Sequence, residues 1–315
     1  MQQSAHEYLQ HGQNPFFRLP SGTLATTAPV DVALLGVPHD GGTTYQPGAR
    51  FAPYHVRRVS AMVTGYHHGL GANIFEQLHC VDAGNIVFLP FDRADMRRRV
   101  EADIAAWQQR GAVPIMVGGD HSITLPALRA LAAAHGPIAV VQLDAHLDLS
   151  SAEVWGDSFH HGTPFRHAIE ERLIADGTLF QVGIRGPRGS SEDDAIARAH
   201  RHQIISPDDI TARGIAAIGA SIRERIGNRP AYISFDIDGV DPAFAPGTGT
   251  PVPGGLTVRE ALGLLRALHG LRVVGADLVE YCPMLDHSDI TGHLAAHAMW
   301  EMLAIIAAHR KPHTS

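Results

Sequence analysis

Ile138-Ala-Val-Val-Gln-Leu-Asp144-Ala-His146-Leu-Asp148 joins an apolar run to three side chains that can hold a metal. The run is short, rich in β-branched residues and lacks a helical period, which is how a strand buried on both faces reads. Two other runs end the same way. Ile115–Val117 enters Gly118-Gly119-Asp120-His121, and Ala231–Ile237 runs through Asp236 to Asp238 in Ser-Phe-Asp-Ile-Asp-Gly-Val-Asp-Pro. Further strands are expected at Val30–Val37, Leu179–Ile184, Gln203–Ile205 and Val273–Val279, with a weaker one near Val81. Periodic segments alternate with them: Ala94–Gln109, Ser122–Ala134, Glu192–His200, Ile215–Ile226 and Val258–Leu268. This alternation predicts an α/β fold, a doubly wound parallel sheet with helices on both faces. Residues 1–29, with Pro15, Pro20, Gly22 and Pro29, read as an extended arm, and 30–312 as one domain.

In such sheets ligands bind beyond the carboxyl ends of the strands, where all three motifs fall. Alternate residues of an extended chain share a side, so Asp144, His146 and Asp148 are expected to project together, as are Asp236 and Asp238. Each motif also has a plainer explanation. Asp120 could cap a helix, 144–148 could be a solvated loop, and Asp236-Ile-Asp238 could be an Asx turn. Taken together the explanation changes. His121, His146 and four aspartates exceed one closed zinc site and suit two divalent ions of the manganese type. Without cations, such a set would carry heavy unbalanced charge. Water activated between two metals means hydrolysis.

The composition narrows the classes. With 45% apolar residues the chain can bury a large core, and a net charge of −7 argues against nucleic-acid or anionic-membrane partners. Two cysteines are too few for a disulfide framework, which makes a reducing cytoplasm the expected compartment. The polar start lacks a signal sequence, and no apolar run is expected to reach the ~20 residues of a bilayer span. Most of the 21 histidines read as surface or packing residues. Gly69-Leu70-Gly71-Ala72-Asn73 lacks the preceding strand of a dinucleotide loop, and Cys282 reads as a small buried thiol.

The motifs, in this order, resemble those of the arginase–agmatinase (ureohydrolase) family. The match spans Gly36-Val-Pro-His39-Asp-Gly-Gly-Thr, Pro47-Gly-Ala-Arg-Phe, Gly118-Gly-Asp-His-Ser, Asp144-Ala-His-Leu-Asp, His161-Gly-Thr-Pro-Phe, Val182-Gly-Ile-Arg-Gly, Ser234-Phe-Asp-Ile-Asp and Pro242-Ala-Phe-Ala-Pro-Gly-Thr-Gly-Thr-Pro. Phe17-Arg18-Leu19-Pro20 and the stretch from His161 to Glu171 look closest to the agmatinase-like branch, which includes guanidinobutyrase, guanidinopropionase and proclavaminate amidinohydrolase.

The resemblance implies a three-layer α/β/α domain around about eight parallel strands, assembled as a homotrimer or hexamer. It implies one ion on His121, Asp144, Asp148 and Asp236 and another on His146, Asp144, Asp236 and Asp238. Manganese is the usual metal, and nickel serves a guanidine-hydrolysing branch. A hydroxide between the ions would attack the guanidinium carbon of agmatine or a guanidino acid such as guanidinobutyrate. Glu280 would bind that guanidinium, and His161 would carry the proton to the departing amine, leaving urea.

Several positions depart from the pattern. Leu147 replaces a small hydroxyl residue, the asparagine that arginases place after Asp148 is missing, and His39 and Tyr281 stand where other residues are usual. With Trp155, His39 and Tyr281 are expected to shape the pocket for the substrate tail. Guanidine or an N-alkylated guanidine or biguanide is the alternative substrate. A silent partner subunit of an active paralogue is the alternative role, disfavoured because all six ligands are present. A deacetylase would keep one zinc and fewer aspartates.

Overall fold

Each run expected as a strand enters one sheet in the computed structural model, which describes residues 14–310 except 153, 189 and 190. Residues 1–13 of the expected arm and 311–312 of the expected domain lie outside that set. In chain order the strands are β1 (Val32–Gly36), β2 (Tyr66–His67), β3 (Ala72–Asn73), β4 (Cys80–Asn85), β5 (Val113–Val117), β6 (Ile138–Leu143), β7 (Ile174–Val182), β8 (Gln203–Ile205), β9 (Pro230–Asp236) and β10 (Arg272–Val279). Eight form a sheet in the order β4-β1-β5-β10-β9-β6-β7-β8, every neighbouring pair parallel. β2 and β3 make a small antiparallel pair around the Gly69–Gly71 turn, which is therefore a hairpin and not a phosphate loop.

Parallel strands require crossovers, and here these are helices that cover both faces. Val141 and Leu143 of β6 pack with Ile233 and Phe235 against the helices Ile215–Ile226, Val258–Ala267 and Ile290–His309. Ile138 and Val140 of the same strand face the opposite layer, built on Arg93–Gln109, Thr124–His135 and Pro164–Glu170. Each fully buried Leu, Ile or Val contributes about 1.5–3 kcal/mol, so β6 is held from both sides. β7 starts at Ile174, five residues before the expected Leu179, because polar Asp176-Gly177-Thr178 masks its first half.

Two other expectations change in detail. The helix Ile290–His309 is 20 residues long with mean hydropathy 1.2, enough by length and composition to cross a bilayer. His293, His297 and Glu301 interrupt its apolar sequence, and most of it is buried within the fold. Phe16, Phe17 and Leu19 of the arm pack into the chain's own core, with Phe16 N–H donating to Asp82 at 2.9 Å and Phe17 N–H to Ser60 at 3.0 Å.

The topology sets the site. β5, β10, β9 and β6 are consecutive neighbours at the centre of the sheet. Leu278 pairs with Val117, Val279 with Asp236 and Leu143 with Phe235, so the four strands stop at nearly one level. The motifs that follow therefore emerge side by side.

Candidate metal centre and substrate cleft

Beyond β5, Gly118 and Gly119 take φ of 83° and 87°, a conformation that glycine adopts without penalty. A Cβ on Gly119 would also stand 2.9 Å from the Val37 carbonyl oxygen. Asp120 acts as a cap, accepting from Ser122 N–H at 3.0 Å and from Gly42 N–H at 2.7 Å. The plain explanation thus holds for Asp120, while the next residue, His121, turns into the cluster.

The expected strand-like alternation at 144–148 does not occur. β6 ends at Leu143, and Asp148 has φ of 53°, in the left-handed region. Asp144 folds the chain back by accepting from His146 N–H at 2.6 Å. After β9 the same device recurs, with Asp236 accepting from Asp238 N–H at 2.8 Å over a single 3-10 turn. The side chains converge through loop hydrogen bonds and not through the pleat.

They form two groups. His121 Nδ1 lies 3.1 Å from Asp144 Oδ2, 2.9 Å from Asp148 Oδ2 and 3.1 Å from Asp236 Oδ2. His146 Nδ1 lies 3.0 Å from Asp238 Oδ2 and 3.5 Å from Asp144 Oδ1. Asp144 belongs to both groups. Donor atoms each about 2.1 Å from one ion stand roughly 3 Å apart, the spacing seen in the first group.

The hydrogen bonds behind His121 test whether a cation fits. Ser234 Oγ donates to Asp277 at 2.7 Å, so at 2.8 Å it accepts from His121 Nε2–H. The Nδ1 lone pair then faces three carboxylate oxygens, and Nδ1 makes no well-angled hydrogen bond. Lone pairs gathered in this way fit a cation. The electrostatics agree. Burial would lower the histidine pKa values, but the aspartates raise His121 well above the usual range and His146 to about 12. Burial and Asp144 raise Asp148 to about 6, while Asp236 rises far above the usual carboxylate range through burial and Asp238.

Glu280 is buried beside this cluster, with φ of 62°. Its Oε1 accepts from His121 N–H at 2.8 Å and from His161 Nδ1–H at 2.9 Å. Its Oε2 is buried and has no partner among the described residues, an open acceptor. His161 Nε2 accepts from Thr44 N–H at 3.3 Å and meets the Thr44 hydroxyl at 2.7 Å. Burial opposes charge on His161, yet Glu280 outweighs it and raises the pKa to about 9.

A cleft of about 310 Å³ opens over these groups, lined also by Ser150, Trp155, His160, Arg185, Arg188 and Asp193. Of the three expected tail-pocket residues only Trp155 lines it, well exposed. His39 and Tyr281 do not. His39 is buried against Asp120 and Phe88, and Tyr281 lies in the core with its hydroxyl donating to Asp286 at 3.0 Å.

Sequence reasoning overlooked several supports. Buried Gln181 donates to Gln142, which donates to Asp144 at 2.6 Å. Asp277 accepts from Thr124, Tyr232 and Ser234. Arg185 donates to the carbonyls of Gly183, Asp238, Gly239, Val240 and Val252, tying three loops together. Arg185 and Thr44 lie in or beside quoted motifs and could have been singled out. The strand glutamines gave no comparable signal.

A third cluster joins His67, His269 and Glu301 within ligand distance. Leu70 N–H donates to His67 Nδ1 at 3.1 Å, so the His67 proton sits on Nε2 and goes to Glu301, also at 3.1 Å. Arg266 holds the other Glu301 oxygen at 2.7 Å. The His67 nitrogen that a metal would need already carries a proton, and the group reads as a buried hydrogen-bond network anchored by the Arg266–Glu301 ion pair.

The arginase family matches the chain over residues 30–304, and the chain belongs to that family. It falls in the agmatinase-like branch. Proclavaminate amidinohydrolase of Streptomyces clavuligerus is 44% identical over 308 residues, covering 97% of each chain. Guanidinopropionase of Pseudomonas aeruginosa is 41% identical over 292 residues, covering 93% of this chain and 91% of its own. A solved structure of the Streptomyces clavuligerus protein, with 44% identity, aligns at a TM-score of 0.89 over 95% of this chain and 98% of that one. The protein is an enzyme, a hydrolase of C–N bonds in linear guanidino compounds.

Proposed function

We propose that the protein hydrolyses agmatine or a guanidino acid such as 4-guanidinobutyrate to urea and an amine, using two divalent ions. The observation that carries this reading is the buried, unpartnered Oε2 of Glu280, set beside two groups of ligands that share Asp144. One ion would be held by His121, Asp144, Asp148 and Asp236, and the other by His146, Asp144, Asp236 and Asp238. Manganese suits this carboxylate and imidazole set, and nickel is the competitor. Ions bound there lower the pKa of water, so that hydroxide is supplied near neutral pH.

The side chains do the rest. A guanidinium is a donor on every edge, and the open Glu280 oxygen accepts from it with charge assistance. Burial strengthens that bond and fixes the direction in which the guanidinium carbon faces. Glu280 orients His161 through Nδ1 and raises its pKa to about 9, which makes Nε2 basic enough to hold a proton in transit. Its Nε2, which accepts from Thr44 N–H beside the Thr44 hydroxyl, is the atom that takes up a proton and releases it to the departing amine. Water adds to the guanidinium carbon, the bond to the substituted nitrogen breaks, and urea and an alkylammonium leave.

The test is urea release by protein loaded separately with Mn²⁺ or Ni²⁺. The panel is agmatine, 4-guanidinobutyrate, 3-guanidinopropionate, arginine, guanidine and a dimethylbiguanide. Turnover of agmatine or a guanidino acid, lost on chelation and restored by one ion, is the expected result. Exclusive turnover of guanidine or the biguanide, or silence with both ions, would overturn the reading.

A further inference from the structure

His160 precedes the proton carrier and is buried, and its ring lines the same cleft. Its tautomer is set by the backbone, because Gly162 N–H donates to Nδ1 at 3.1 Å. The proton of the neutral ring is therefore on Nε2. That nitrogen is buried and has no hydrogen-bond partner among the described residues. Burial, reinforced by the nearby His161, lowers the pKa to about 4, so the ring stays neutral at working pH.

The ring is also held still. His160 N–H meets the Thr163 hydroxyl at 3.2 Å, and that hydroxyl donates back to the His160 carbonyl at 2.9 Å. Upstream, Arg93 pairs with Asp157, His167 bonds to the Ser158 carbonyl at 2.5 Å, and Phe159 stacks on His167 at 4.7 Å. The cleft is thus lined by one rigid side chain with an unspent N–H and no free lone pair. A buried unpaired donor is costly, and an acceptor on a ligand relieves that cost.

The other polar groups narrow what that acceptor is. A guanidinium has only donors and belongs to Glu280, and the ammonium of agmatine has only donors too. We propose that His160 is a specificity-determining residue that donates from Nε2 to an acceptor on the substrate tail. It thereby selects guanidino compounds ending in a carboxylate or another C=O acceptor over agmatine. The inference rests on the hydrolase reading of the same cleft and sharpens its substrate class. The His160 and His161 ring centres are 6.3 Å apart, and His161 touches Glu280, so the acceptor lies a short chain from the guanidinium.

The test uses the metal-loaded enzyme and four ligands of matched length: 4-guanidinobutyrate, 4-guanidinobutyramide, agmatine and butylguanidine. kcat/KM is measured for each, with calorimetric titration alongside. In the wild type the acid and the amide should both outrank butylguanidine and agmatine. The neutral amide separates a donor effect from attraction to Arg185 or Arg188. His160→Phe should lower the amide-over-butylguanidine ratio about tenfold, through KM, and His160→Gln should recover part of it. Equal losses on all four ligands, or an unmoved ratio, would overturn the role of His160 while hydrolysis stands. If the Phe variant fails to fold, a wild type that ranks the amide with butylguanidine overturns it equally. Binding without turnover would break the hydrolase reading and leave the same ratio readable as Kd. A wild type that binds none of the four overturns both.

Discussion

His121 and His67 are both buried imidazoles beside carboxylate, three around the first and Glu301 at the second, and their chemistry points in opposite directions. Behind His121, the Ser234 hydroxyl accepts the ring proton and leaves a lone pair toward Asp144, Asp148 and Asp236. Behind His67, the Leu70 amide donates to the ring and drives the proton toward Glu301. One atom on the far side of each ring separates a candidate metal ligand from a neutral hydrogen-bond donor. A list of residue types within reach cannot make that distinction. The direction of one hydrogen bond can.

Replacing the shared ligand should have the largest effect. Asp144→Asn is expected to reduce urea release to background and to lower bound metal below two ions per chain, read by elemental analysis. Full loading with turnover would remove Asp144 from both groups. Glu280→Gln should keep both ions and lose about 10²–10³-fold in kcat/KM, because it weakens the acceptor for the guanidinium.

Ser234→Ala tests the comparison directly. Without the hydroxyl the His121 tautomer is no longer fixed, and metal affinity should fall about 10–100-fold by competition with a chelator. His67→Ala should leave metal content unchanged and cost ~1–3 kcal/mol in unfolding, since Glu301 loses a buried donor. A lost ion in that variant would reverse the reading of the third cluster.

The smallest expected effect is on pH dependence. The His161 pKa is raised from 6.5 to about 9, so its charged form is favoured by the fold. The stabilisation this gives is full below pH 6.5 and is lost as pH rises through about 9. kcat should decline over that same upper range. A rate that stays level to pH 10 would exclude protonated His161 as the proton donor.

The sheet was readable because β6 and its neighbours are short apolar runs that stop at polar motifs. The meeting of the six candidate ligands was readable for the same reason, since four adjacent strands stop at one level. What could not be read was direction. Tyr281 follows Glu280 by one residue, yet the left-handed turn at Glu280 sends it into the core. His39 sits within a family motif and packs against Asp120 and Phe88 outside the cleft. Gln142 and Gln181 were hidden because a polar residue inside a strand gives no sign of which face it serves.

Asp148 and Glu280 are both non-glycine residues held at positive φ, and both border the candidate substrate cleft. Such a backbone costs on the order of 1–2 kcal/mol at each position. Glycine there would relax the chain while removing a carboxylate that no other residue replaces. A laboratory screen for heat resistance alone would therefore reward, at these two positions, the changes expected to disarm the enzyme. Evolution toward greater stability has to find its gains elsewhere, in the helical layers far from the strand ends.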